Sequence, residues 1–144
     1  MKATIGVGVL VFALVVMGAI APRASADLIG GQSLLGSTGQ TDIWALTCGP
    51  TSVRAGAAVT DTGGVDGRRI NLCLTNADGA PGQCRSTDGG GTGEIIVVGG
   101  VGVYLVTINE AGPTTAGEPY TLFLTCRNSS GGIAPHFHLQ LQNQ

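Results

Sequence analysis

His136 and His138 are the only histidines in the chain and stand two apart near its end. In an extended segment such residues point to one face, about 6–7 Å apart at roughly 3.3 Å per residue. Two imidazoles so placed could share one copper or zinc ion. A working site would need at least one more ligand, and an Asp or Glu from a neighbouring strand is the supply. Read by alternation, the run His136–Gln142 turns Phe137, Leu139 and Leu141 inward. His136, His138, Gln140 and Gln142 then line a polar outer face, whose simpler reading is a solvated surface.

The other reactive candidates are weaker. Asp61, Asp66, Asp78 and Asp88 stand in glycine-rich loops and could offer oxygens to calcium. None follows the spaced-carboxylate pattern of an EF-hand, and aspartate is also an ordinary turn residue. Gly31-Gln32-Ser33-Leu34-Leu35-Gly36 misses the nucleophile-elbow spacing by one position and lacks its strand–turn–helix context. Gly99-Gly100-Val101-Gly102 precedes no lysine and no helix, so it reads as a tight turn. Asn128-Ser129-Ser130 fits a glycosylation sequon. Arg68-Arg69 is too small for a polyanion patch and reads as solvated turn charge. These signals lead to the expectation that the chain is not an enzyme.

Cys48, Cys73, Cys84 and Cys126 allow three pairings. Cys73 and Cys84 flank a turn-rich insert and could close it as a local staple. Cys48 and Cys126 each end an apolar run, Trp44-Ala45-Leu46-Thr47-Cys48 and Leu122-Phe123-Leu124-Thr125-Cys126. Matching positions on neighbouring strands would let them bridge, and the preferred pairing is Cys73–Cys84 with Cys48–Cys126. The absence of a C-x-x-C pair or a Cys–His cluster argues against a cysteine metal site.

Disulfides presuppose an oxidising compartment, and the first residues supply a route to one. Met1-Lys2 is a short positive start, residues 5–20 are an unbroken apolar and glycine run, and Pro22 ends it. Ala24-Ser25-Ala26 then has the small-x-small pattern that signal peptidase reads. The run falls short of the roughly 20 residues that span a bilayer. Residues 1–26 therefore read as a cleaved secretory signal peptide, and no cysteine follows to carry a lipid. The expected location is secreted or periplasmic.

The remaining 118 residues contain five arginines, no lysine and nine acidic residues, a formal charge of −4. That balance excludes the electrostatic footprint of a nucleic-acid binder and disfavours anionic membranes. Charged residues make up 11% of the chain, about half the usual share. With 43% hydrophobic residues the chain is still too apolar for disorder.

Residues 27–41 read as a loose N-terminal segment able to add one edge strand, ahead of a single domain over 42–144. In that domain short alternating runs are separated by turn clusters such as Asp61-Thr62-Gly63-Gly64 and Asp88-Gly89-Gly90-Gly91. One run groups Val53, Ala55, Ala57 and Val59 on a face; another groups Ile70, Leu72 and Leu74. Ile95-Ile96-Val97-Val98 is continuous and suits burial on both faces. Tyr104, Val106 and Ile108 share a side. Trp44 and Tyr104 are expected core anchors, with Tyr120 nearer the edge. Period two with β-branched enrichment predicts an all-β domain of about 7–9 short strands.

Two runs resemble a known family. Thr41-Asp42-Ile43-Trp44-Ala45-Leu46 is similar to an early strand of the bacterial pre-peptidase C-terminal (PPC-like) domain. Gly102-Val103-Tyr104-Leu105-Val106-Thr107-Ile108 is similar to its glycine–x–tyrosine strand, with Glu118-Pro119-Tyr120-Thr121-Leu122-Phe123-Leu124 as the implied hairpin partner. The resemblance covers about residues 41–126 and implies an antiparallel, jelly-roll-like β-sandwich exported by bacteria. Such domains commonly accompany a secreted enzyme, for which this chain has no room. The cysteines and the His136-Phe137-His138 strand are outside the pattern. Some of the wider group bind calcium, but no residue set here matches. The expected function is a non-catalytic exported binding, structural or assembly module of the envelope or extracellular space. Its partner would be an envelope or extracellular protein, or a second copy, meeting the C-terminal strand. The alternative is a periplasmic or secreted copper or zinc protein using His136 and His138.

Overall fold

A computed structural model describes residues 25–34, 40–79, 81–112 and 117–143. Nearly all of the expected signal peptide lies outside these residues. They form nine strands: β1 (Asp27–Leu34), β2 (Thr41–Cys48), β3 (Arg54–Asp61), β4 (Arg69–Asn76), β5 (Gln83–Thr87), β6 (Ile95–Val98), β7 (Gly102–Ala111), β8 (Glu118–Arg127) and β9 (His136–Gln142). All pairings are antiparallel, in a four-stranded sheet ordered β1-β8-β3-β6 and a five-stranded sheet ordered β5-β4-β7-β2-β9. The two sheets pack as a β-sandwich. No helix among the described residues is long and apolar enough to cross a membrane.

Alternation builds the core. β2 buries Asp42, Trp44, Leu46 and Cys48 and leaves the intervening residues half-buried. β7 buries Tyr104, Val106 and Ile108 beside them, and β4 adds Ile70, Leu72 and Leu74. The facing sheet contributes Ala55, Ala57 and Val59 from β3 and Tyr120, Leu122, Leu124 and Cys126 from β8. Each large apolar side chain so buried contributes about 1.5–3 kcal/mol.

The connections depart from the sequence expectation. Seven of the eight steps between successive strands change sheet, and the single local hairpin is β4–β5. β7 and β8, expected to pair as a hairpin, lie in opposite sheets. Period-two alternation demands one buried face from each strand. Facing across a core satisfies that demand as well as pairing side by side. β6 is an edge strand, so Ile95 and Val97 are buried while Val98 is exposed, unlike a strand covered on both faces. Val53 precedes β3 and is exposed, apart from the buried Ala55, Ala57 and Val59. Tyr120 is fully in the core. Asp27–Leu34 supplies the edge strand that residues 27–41 were able to add, paired with β8.

Two glycines show why composition follows topology. Gly56 lies in β3, where an added Cβ would meet Glu94 Oε1 at 2.4 Å. Its bareness lets the Glu94–Arg127 pair, with contacts of 2.9 and 3.0 Å, lie over the sheet. Gly100 takes φ +79° in the β6–β7 turn, and its carbonyl accepts the Tyr104 hydroxyl at 2.9 Å.

Candidate functional site

Cross-strand register settles the phase of β9. His136 stands opposite Cys48, His138 opposite Leu46, and Gln140 opposite Trp44. Opposed residues share a face, and β2 has already committed Cys48, Leu46 and Trp44 to the core. His136 and His138 therefore face inward. Phe137, Leu139 and Leu141 face outward at 61%, 57% and 54% exposure. This reverses the orientation expected from hydrophobic alternation. The reason is a half-buried polar partner at the sandwich edge that alternation cannot reveal.

That partner is Asp27, the first residue of β1. β1 and β9 are the edge strands of opposite sheets, and the Asp27 carboxylate closes the seam between them. Its Oδ2 lies 2.8 Å from His138 Nδ1 and 3.4 Å from His136 Nε2. The Trp44 ring packs on His138 with centroids 5.8 Å apart. The His136 side chain is only 2% exposed. Its Nδ1 is 2.9 Å from the Ala134 carbonyl, which can only accept, so Nδ1 carries a proton. In the neutral ring the lone pair is then on Nε2, which has no hydrogen-bond partner. Asp27 was visible in the sequence as the only acidic residue of the segment 27–41. Nothing in strand periodicity pairs it with a histidine 111 residues away.

The disulfides are Cys48–Cys126 and Cys73–Cys84. The first is buried and joins β2 to β8 across the sandwich, next to His136. The second closes the β4–β5 hairpin on the outer face. Both suit an oxidising environment.

The loop aspartates serve loop closure. Asp61 accepts backbone N–H groups of Gly63 at 2.8 Å and Gly89 at 2.6 Å. Asp88 accepts the Asp66 N–H at 3.1 Å, while Asp78 lies apart in the β4–β5 turn. Arg68 is no solvated charge: it pairs with Asp66 and, at 3.0 Å, with the buried Glu118. Among the described residues no three His, Cys, Asp or Glu side chains form a ready metal cage. Asn128 of the sequon accepts the Ser130 N–H and hydroxyl in a local turn. Of the segment around Ser33, residues 35 and 36 lie outside the described residues, and Ser33 itself is on β1.

Glu118 carries a pH dependence. Burial, then the hydrogen bond and charge of Asp61, push its carboxyl up to about 7, with Arg68 opposing. Burial raises Glu110 as well. Between the unfolded value near 4.5 and about 7, the folded state keeps a proton that the unfolded state has lost. Stability from this group is complete below that window and is lost as pH rises through it. Glu118→Gln should flatten the dependence. The wild-type-minus-variant difference in unfolding free energy, measured by urea titration at pH 4.5 and 8, should change by about 1–3 kcal/mol. A constant difference would contradict the assignment.

The chain matches no protein-family model, no curated protein and no solved structure.

Proposed function

We propose that this protein is a non-catalytic exported assembly module, a relative of the PPC-like domains, that joins a second copy of itself through β9. The observation that carries this reading is the character of that edge. His136–Gln142 contains no Asp, Glu, Lys, Arg or Pro, the residues that usually blunt a free edge. Its outward residues continue a shared surface: Phe137 lies beside Thr47 and Val103, and Leu139 beside Ala45 and Leu105. The other edges are less suited. β5 and β6 are short at five and four residues, and β1 is interrupted by an irregularity between Ile29 and Gln32. An irregularity between Gln140 and Gln142 limits the regular part of β9 to its first five residues. Antiparallel pairing of two β9 strands about a two-fold axis would extend the five-stranded sheet and double the Phe137–Leu139 stripe. Export is supported by the signal-peptide signature and by the two disulfides.

Sedimentation of the processed protein at micromolar concentration, with a chelator present, tests the reading. A dimer is expected for the wild type, and a monomer of unchanged circular dichroism for Leu139→Lys. A strictly monomeric wild type would overturn it.

A further inference from the structure

We propose that cleavage after Ala26 completes a copper(II) site at the β1–β9 seam, formed by the α-amine and carboxylate of Asp27 with the imidazoles of His136 and His138. The proposal rests on the export reading, because only cleavage frees that amine. Three observations converge on it. Asp27 directly follows the small-x-small pattern of residues 24–26, so it would be the new first residue. Its carboxylate lies against both rings of the chain's only two histidines. His136 aims a buried nitrogen, which makes no hydrogen bond and lies 3.4 Å from Asp27 Oδ2, at that carboxylate while its other nitrogen is held by a backbone carbonyl. That is the arrangement by which an outer hydrogen bond orients a metal-binding histidine.

The two contacts of the Asp27 carboxylate match the spacing of donors around one small ion. Donors about 2.0 Å from a common metal stand ~2.8 Å apart at a right angle and ~3.3 Å at the tetrahedral angle. The contacts from Asp27 Oδ2 are 2.8 and 3.4 Å. The three side chains alone form no ready cage, and the amine is the donor that completes the set. Amine and carboxylate of one N-terminal aspartate close a six-membered chelate ring. Three nitrogens and one oxygen favour copper(II) among the divalent ions. The amine binds as –NH₂, so its proton is released on coordination.

Residues 27–144 contain no lysine, which makes the test direct. In the exported, processed protein the α-amine is the sole aliphatic amine for an acetylating reagent. N-terminal sequencing should return Asp27 first; another start overturns the maturation step and points to the cleavage reading as the fault. Calorimetric titration with Cu²⁺ alone should give one equivalent with nitrogen couplings in the electron paramagnetic resonance spectrum. Acetylation, which leaves every donor side chain in place, should weaken binding at least about 100-fold. His138→Ala should weaken it comparably. Absence of binding, or equal affinity after acetylation, overturns the proposal whether or not the His138 variant folds.

Discussion

Replacing Cys48 and Cys126 together with alanine should lower the unfolding free energy by about 4.5 kcal/mol, the largest loss expected from any paired change. The two cysteines are 78 residues apart in sequence, and both are buried. In the chain-entropy account a cross-link gains with the length of the loop it closes. This loop takes in β3 to β7 and most of β8, six of the nine strands. Cys73 and Cys84 are only 11 apart, and their pair is worth about 3 kcal/mol in the same account. The contrast is structural as well. Cys48–Cys126 ties one sheet to the other, whereas Cys73–Cys84 joins neighbours already paired in the β4–β5 ladder. Urea unfolding of both double variants under oxidising conditions measures the difference. An equal or larger loss from Cys73→Ala/Cys84→Ala would refute the loop-length argument. Because β9 hangs on β2, the Cys48→Ala/Cys126→Ala variant should also loosen the Asp27–His138 seam, read as faster amide exchange in β9.

Tyr120→Phe should cost about 2–3 kcal/mol, although it removes one oxygen and no apolar volume. The Tyr120 hydroxyl donates to Asp42 Oδ2 inside the sandwich, and both residues are buried. The bond crosses from β8 to β2, so it joins the sheets at a second point 78 residues apart in sequence. Burial, reinforced by the Asp42 hydrogen bond, pushes the Tyr120 phenol far above its usual range, so the donor persists at any working pH. Phenylalanine fills the same space and withdraws that donor from a carboxyl group water cannot reach. Tyr104→Phe is the control. Tyr104 gives its proton to a carbonyl in the glycine turn, so its replacement should cost only about 1 kcal/mol. Chemical denaturation of the two single variants decides the matter. Equal losses would mean that the Tyr120–Asp42 bond adds nothing beyond an ordinary hydrogen bond.

The reach of the sequence can be judged element by element. β2, β4, β7 and β8 were legible because each is long, alternates over most of its length and carries its own buried face. β5 was not, since Gln83–Thr87 is exposed almost throughout and shows no apolar stripe. It exists because β4 and the Cys73–Cys84 staple hold it. The aspartate turns were legible as turns. The pairing of half-buried Arg68 with buried Glu118 was not, because their partnership spans 50 positions and no local pattern announces it. Phe137, Leu139 and Leu141 misled for the same reason. Their alternation is genuine, but hydrophobicity alone assigned the apolar half to the interior.

From its residues alone this chain is all-β, turn-rich and poor in charge, with four cysteines and a leader-like start. Those properties follow from period, propensity and composition, which are local. Tertiary structure decided that β7 and β8 lie in opposite sheets and that β9 turns its histidines inward. It also decided that Asp27 would meet His136 and His138. The physical reason is one of range. A strand's alternation sets which residues share a face, whereas its partner and its phase depend on register and on polar contacts made across 78 to 111 positions of chain.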